Sequence, residues 1–152
     1  MKYHISGGNR LSGEIRVSGN KNSVFPCVAA ALLTRQEVIL ENIPHLSDTQ
    51  VLVEILVKLG AKIKWEKSTL FIKADNIKVS SLPKNLMLKL RGSVVLVGAL
   101  LGRLGRVSFY HPGGDIIGQR SINTHLEAFK MLGFVLKRDD LKFGLFFQEK
   151  KR

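Results

Sequence analysis

The feature that most limits the folds open to this chain is that it repeats itself at an offset of about 70 residues. Ser23-Val24 opens an apolar stretch ending Ala29-Ala30-Ala31-Leu32-Leu33, and Ser93-Val94 opens one ending Gly98-Ala99-Leu100-Leu101. A β-type segment follows each, Glu37-Val38-Ile39-Leu40-Glu41-Asn42 and Gly105-Arg106-Val107-Ser108-Phe109-Tyr110, and each then meets a proline, Pro44 or Pro112. Two amphipathic segments come next with a shared ending, Leu59-Gly60-Ala61 and Leu132-Gly133-Phe134. Each is trailed by two short β-type pieces, 62–65 with 69–73 and 135–137 with 142–147.

Each copy therefore reads helix, strand, helix, strand, strand. In the first copy Leu52, Ile55, Leu56 and Leu59 share a helical face, with Asp48 as the expected N-cap and Gly60 as the C-terminal cap. In the second, Ile122, Leu126, Phe129 and Leu132 form the matching stripe, with Gly133 as cap. The first helix of each copy is apolar nearly all round, which predicts burial at the centre. Residues 13–19 read as a strand feeding the first copy. The fold class is α/β: an inside-out repeat of two units, helices buried and sheets outside. Its divisions are 1–20 (N-terminal strand segment), 21–75 (first repeat) and 90–148 (second repeat). An ordinary doubly wound sheet is the alternative, and the paired strands that close each copy argue against it.

Charge is the compositional outlier: 24 Lys plus Arg against 12 Asp plus Glu, a net of +12. Such a surplus favours anionic partners, either nucleic acid or small phosphorylated molecules. The longest apolar runs, 24–33 and 94–101, are interrupted by Pro26 and Gly98 and fall well below the roughly 20 residues of a membrane span. Met1-Lys2-Tyr3-His4-Ile5-Ser6 has no signal-peptide character, and Cys27 is the sole cysteine, so a disulfide framework is excluded and a cytoplasmic location is expected. His4, His45, His111 and His125 lack metal-ligand spacing, and no metal or cofactor is expected. Cys27 reads as a core residue of its helix rather than a nucleophile.

Three places carry candidate chemistry. Lys21-Asn22 stands where a strand gives way to a buried helix, a position whose free N–H groups attract anions. Arg91-Gly92-Ser93 occupies the same junction in the second copy, and arginine grips phosphate with two parallel hydrogen bonds. Pro112-Gly113-Gly114-Asp115-Ile116-Ile117-Gly118-Gln119-Arg120 surrounds an acid and an arginine with glycines, which suits a loop that closes over a ligand. No Gly-Lys-Ser/Thr ending marks a nucleotide-hydrolysing loop, and no GxGxxG fingerprint is present.

Taken together, Leu11-Ser12-Gly13-Glu14-Ile15-Arg16-Val17-Ser18-Gly19-Asn20-Lys21-Asn22, Leu59-Gly60-Ala61, Leu90-Arg91-Gly92-Ser93, the glycine loop and His125 resemble the enolpyruvyl transferases. Within them the likeness is to the N-terminal part of the UDP-N-acetylglucosamine branch, since the sister shikimate branch carries Lys-Ser and a nearby arginine at the first junction. The resemblance implies transfer of the enolpyruvyl group of phosphoenolpyruvate to the 3′-hydroxyl of UDP-N-acetylglucosamine, with release of phosphate, in peptidoglycan precursor synthesis. It implies phosphoenolpyruvate contacts from Lys21 and Asn22, UDP-sugar contacts from Arg91, phosphate binding by Arg120, and a UDP-sugar lining from Ser121, Ile122, Asn123 and Thr124. Asp115 takes the place of the family's usual loop cysteine and is the expected general acid. Ser121 and Asn123 replace the family's Pro and Asp. The family is well over twice this length and its first domain has three repeats, so the resemblance implies a C-terminal remainder that is missing or separately encoded, and with it the catalytic base. A different reading is a basic nucleic-acid-binding module, and a third is a noncatalytic remnant of the fold. Against nucleic acid stand phenylalanines in core-like positions, because stacking needs exposed rings among cations.

Overall fold

The computed structural model describes residues 2–114 and 120–147. Helix α1 (Lys21–Ala31) begins where the Asn20 side chain accepts from the Asn22 N–H at 2.7 Å. Strand β1 (Glu37–Leu40), helix α2 (Ser47–Leu59), and strands β2 (Lys62–Glu66) and β3 (Thr69–Lys73) complete the first unit. A short helix α3 (Lys84–Met87) and a 3-10 turn (Arg91–Val94) lead into α4 (Val95–Leu104), β4 (Arg106–Tyr110), α5 (Asn123–Met131), β5 (Phe134–Asp139) and β6 (Lys142–Phe147). Each unit folds its strands into a three-stranded antiparallel sheet with the third strand central, in the orders β1-β3-β2 and β4-β6-β5. The duplication in sequence is thus a duplication in topology, and antiparallel pairing excludes the doubly wound alternative.

The two units share one core. Helix α1 packs on α4 and α2, and each sheet turns its apolar side inward. Leu52, Ile55, Leu56 and Leu59 on α2 are at most 1% exposed, as their spacing predicts, and Gly60 closes that helix in the left-handed region. Arg103 at the end of α4 staples the units together: its guanidinium donates to the carbonyls of Leu32, Thr34 and Ala74 in the first unit. A charged donor satisfies three chain-end acceptors there that the fold would otherwise leave without partners.

Four local expectations need correction. Asp48 is not the N-cap of α2; that helix starts at Ser47, and Thr49 does the capping, accepting from the Leu46 N–H at 3.1 Å and donating to the Pro44 carbonyl at 2.8 Å. Leu132 leaves the stripe of α5 and is 67% exposed, because the helix ends at Met131 and the chain turns before reaching the core. Cys27 lies on an exposed side of α1 together with Pro26 and Ala30, since α4 and α2 pack on the other sides of that helix. Residues 13–19 form no strand; they pair with neither sheet among the described residues, and Ile15 (91%) and Val17 (75%) stand in solvent. No helix among the described residues is long and apolar enough to cross a membrane.

Candidate anion site between the two repeats

The two helix starts singled out by the sequence meet in space. Gly92 makes this possible, since a Cβ there would sit 2.3 Å from the Phe25 ring of α1. With hydrogen in its place, the first turn of α1 and the 3-10 turn close on each other. The result is a cleft of about 320 Å³ lined by Lys21, Asn22, Phe25, Asp48, Lys89, Leu90, Arg91, Gly92, Gly114 and Arg120. Phe25 and Leu90, 8% and 3% exposed, are its apolar lining. Four cations face one carboxylate among the described lining residues. That balance, in a concave and partly dry place, favours a bound anion.

Each cation is held differently. Lys21 sits at the first position of α1 and reaches the Asp48 carboxylate at 2.7 Å, so an acid from α2 aims the ammonium into the cleft. Arg91 donates from Nη2 to the Ser121 carbonyl at 2.9 Å, tying the 3-10 turn to the approach to α5. Burial pushes the Arg91 guanidinium below its usual range, and the like charge of Arg120 pushes it further. The Ser121 hydroxyl accepts from the Asn123 N–H at 3.0 Å and so satisfies the start of α5. Arg120 also borders a neighbouring cavity of about 520 Å³, lined by His111, Ser121, Ile122, Asn123, Arg138, Leu141 and Phe143.

The glycine loop starts at the cleft. The Gly113 and Gly114 N–H groups donate to the carbonyls of Met87 and Leu88 at 2.9 and 3.1 Å, and a Cβ on Gly113 would lie 1.9 Å from the Leu88 oxygen. This close backbone contact brings Gly114 against Arg91. Asp115 itself, with residues 116–119, lies outside the described residues. Of the other expected site residues, Asn22, Ser121, Asn123 and Thr124 are exposed, Thr124 borders neither cavity, and Ile122 is 2% exposed with its side chain in the core.

Two lining residues escaped the sequence reading. Asp48 looked like a cap, and nothing in its spacing from Lys21 reveals an ion pair across 27 positions. Lys89 had a usable signal: Leu90 is extended, so residues on either side of it point the same way, and Lys89 therefore accompanies Arg91.

Known proteins share the sequence and the fold of this chain. The family described as EPSP synthase (3-phosphoshikimate 1-carboxyvinyltransferase) matches residues 5–142. The UDP-N-acetylglucosamine 1-carboxyvinyltransferase of Bradyrhizobium diazoefficiens is 46% identical over 145 residues, covering 94% of this chain and 34% of that protein. Its namesake in Borreliella burgdorferi is 41% identical over 143 residues, with the same coverage of 94% and 34%. Among solved structures, the enolpyruvyl transferase NikO from Streptomyces tendae superposes with a TM-score of 0.76 at 31% identity, over 93% of this chain and 31% of that one. The chain spans about a third of the length of the relatives it matches. With a duplicated fold, a shared core and a family match over most of its length, the chain belongs to the EPSP synthase (3-phosphoshikimate 1-carboxyvinyltransferase) family of enolpyruvyl transferases.

Proposed function

We propose that this chain supplies the first repeats of a cytoplasmic UDP-N-acetylglucosamine enolpyruvyl transferase, acting on phosphoenolpyruvate and UDP-N-acetylglucosamine. The observation that carries the proposal is the convergence of Lys21, Lys89, Arg91 and Arg120 from both repeats on one cleft. A trianionic substrate and a diphosphate-linked sugar both need such a cluster, and preset cations stabilise charge that develops on the departing phosphate. Names of the relatives supply the choice of sugar nucleotide over other acceptors.

In this reading Lys21 and Asn22 hold phosphoenolpyruvate, Arg120 its phosphate, and Arg91 with the segment 121–124 the UDP-sugar. The 3′-oxygen adds to the central carbon of phosphoenolpyruvate while Asp115 gives a proton to its methylene carbon. Loss of inorganic phosphate and of one proton from that carbon then restores the double bond. Asp115 serves as acid only when protonated; the cleft's cations oppose protonation, and the charge of bound phosphoenolpyruvate favours it. A carboxylate in place of a thiol leaves fosfomycin no soft nucleophile to alkylate. Assays of an active form carrying this segment are expected to show turnover that survives fosfomycin, and rapid covalent inactivation would contradict the assignment of Asp115.

The base and the remaining cleft wall belong, on this reading, to the part of the family's length that these 152 residues do not span. Purified 152-residue chain is therefore expected to release almost no phosphate from phosphoenolpyruvate plus UDP-N-acetylglucosamine. Robust turnover by that chain alone would overturn the division of labour proposed here.

A further inference from the structure

Away from the cleft, the outer face of the second sheet has a composition that the transferase reading does not use. Strand alternation and register place Arg106, Ser108 and Tyr110 of β4 on that face, beside Lys142, Gly144 and Phe146 of β6 and Val135, Lys137 and Asp139 of β5. The opposite face carries Val107, Phe109, Phe143 and Leu145, all at most 4% exposed and in the core. Cations crowd the two outer rings. Lys84 and Lys142 lie 5.4 and 6.0 Å from the Tyr110 centroid, and Lys137 lies 5.4 Å from that of Phe146. Beside the Phe146 ring lies an open hollow of about 740 Å³, bordered by Ser80, Arg106, Ser108, Lys137, Gly144 and Phe146. Gly144 keeps it open, because a side chain there would meet nothing nearer than 4.0 Å and would occupy the hollow itself.

The first sheet is the internal comparison. Two of its outer lysines are paired with acids: Lys62 with Asp75 at 3.4 Å and Lys64 with Glu66 at 2.7 Å. On the second sheet no salt bridge joins Lys84, Arg106, Lys137 or Lys142 to a carboxylate among the described residues, and Asp139, opposite Lys142, is the acid on that face. The repeat has thus kept its topology and changed the chemistry of one outer surface.

We infer that this face is a docking surface for single-stranded nucleic acid. A flexible polyanion with planar bases matches both halves of the surface at once: rings for stacking, lysines and Arg106 for phosphates. Tyr110 and Phe146 stand four residues apart in register, about 14 Å at roughly 3.4 Å per residue. Bases of a stacked strand recur at about 3.4 Å, so a segment of a few nucleotides reaches from Phe146, beside the hollow, to Tyr110. A duplex hides its base faces and leaves the rings idle. This inference is independent of the transferase reading and goes beyond the expectation of small anionic substrates alone.

The test is fluorescence anisotropy of a labelled oligouridylate of about 12 nucleotides with the purified chain. Saturable binding is expected, weakening about 20–50-fold between about 50 and 200 mM salt, as three or four neutralised phosphates require. Phe146→Leu and Tyr110→Leu, which keep apolar bulk and so the fold, are each expected to weaken binding at least about five-fold. Lys137→Gln with Lys142→Gln is expected to flatten the salt dependence, whereas Lys62→Gln with Lys64→Gln on the first sheet leaves binding unchanged. Circular dichroism melts of every variant separate lost contacts from lost folding. The inference is overturned if the oligonucleotide does not bind, if both lysine pairs matter equally, or if a duplex or free uridine monophosphate competes as well as the single strand.

Discussion

The guanidinium of Arg91 is held below the ordinary arginine range, first because burial strips water from it and second because Arg120 faces it with like charge. It remains a cation near neutral pH, since arginine ordinarily titrates far above neutrality. A base whose folded value is lowered binds fewer protons folded than unfolded between the two values, so stability rises with pH only in that alkaline window. Below the window the repulsion is a constant cost that a bound anion removes. Arg120→Gln is accordingly expected to raise the melting temperature of the empty chain by about 1–2 °C while weakening phosphoenolpyruvate binding about ten-fold. Thermal melts with and without the ligand check this, and a lower melting point without ligand would contradict it. Lys21, Arg91 and Arg120 were legible in the sequence because each sits in a motif at a helix start or loop end. Asp48 was not, since its partner Lys21 lies on another helix and only packing reveals the pair. The pair itself is half exposed, so its net worth to folding is about 0–1 kcal/mol and its use lies in aiming Lys21.

Among the elements, the junction of α1 with the 3-10 turn is the most constrained. A methyl group at residue 92 would collide with the Phe25 ring, which is itself buried and has little room to move. Gly92→Ala is expected to cost about 1–3 kcal/mol, with Phe25→Leu recovering part of that loss in the double variant. Denaturant unfolding of the three proteins measures it; purely additive losses would show that the two residues do not compete for the same space. The order and type of nearly all elements could be read beforehand, because hydrophobic period and the Leu-Gly endings are local signals. Failures came where a neighbour decides. Cys27 and Leu132 are apolar positions whose exposure depends on which helix faces lack a cover. Residues 13–19 alternate like a strand, yet alternation supplies no partner, and neither sheet pairs with them among the described residues.

For the molecule as a whole, duplication builds the site. One repeat brings Lys21 and Asp48, the other brings Arg91 and Arg120, and Lys89 joins them from just before the second repeat. The Arg103 staple and the α1–α4 contact fix the two units in one core, so the cations keep their spacing without a ligand. Because the chain spans about a third of its relatives' length, binding by this part alone is expected to be weak and turnover negligible. The most direct test is calorimetric titration of phosphoenolpyruvate into the wild-type chain, Lys21→Met, Arg120→Met and the double variant. A shared site predicts saturable binding that each single change weakens, with a coupling of about 0.5 kcal/mol or more between the two positions. Equal affinity in all four proteins, or losses that simply add, would mean that the two repeats do not grip one anion.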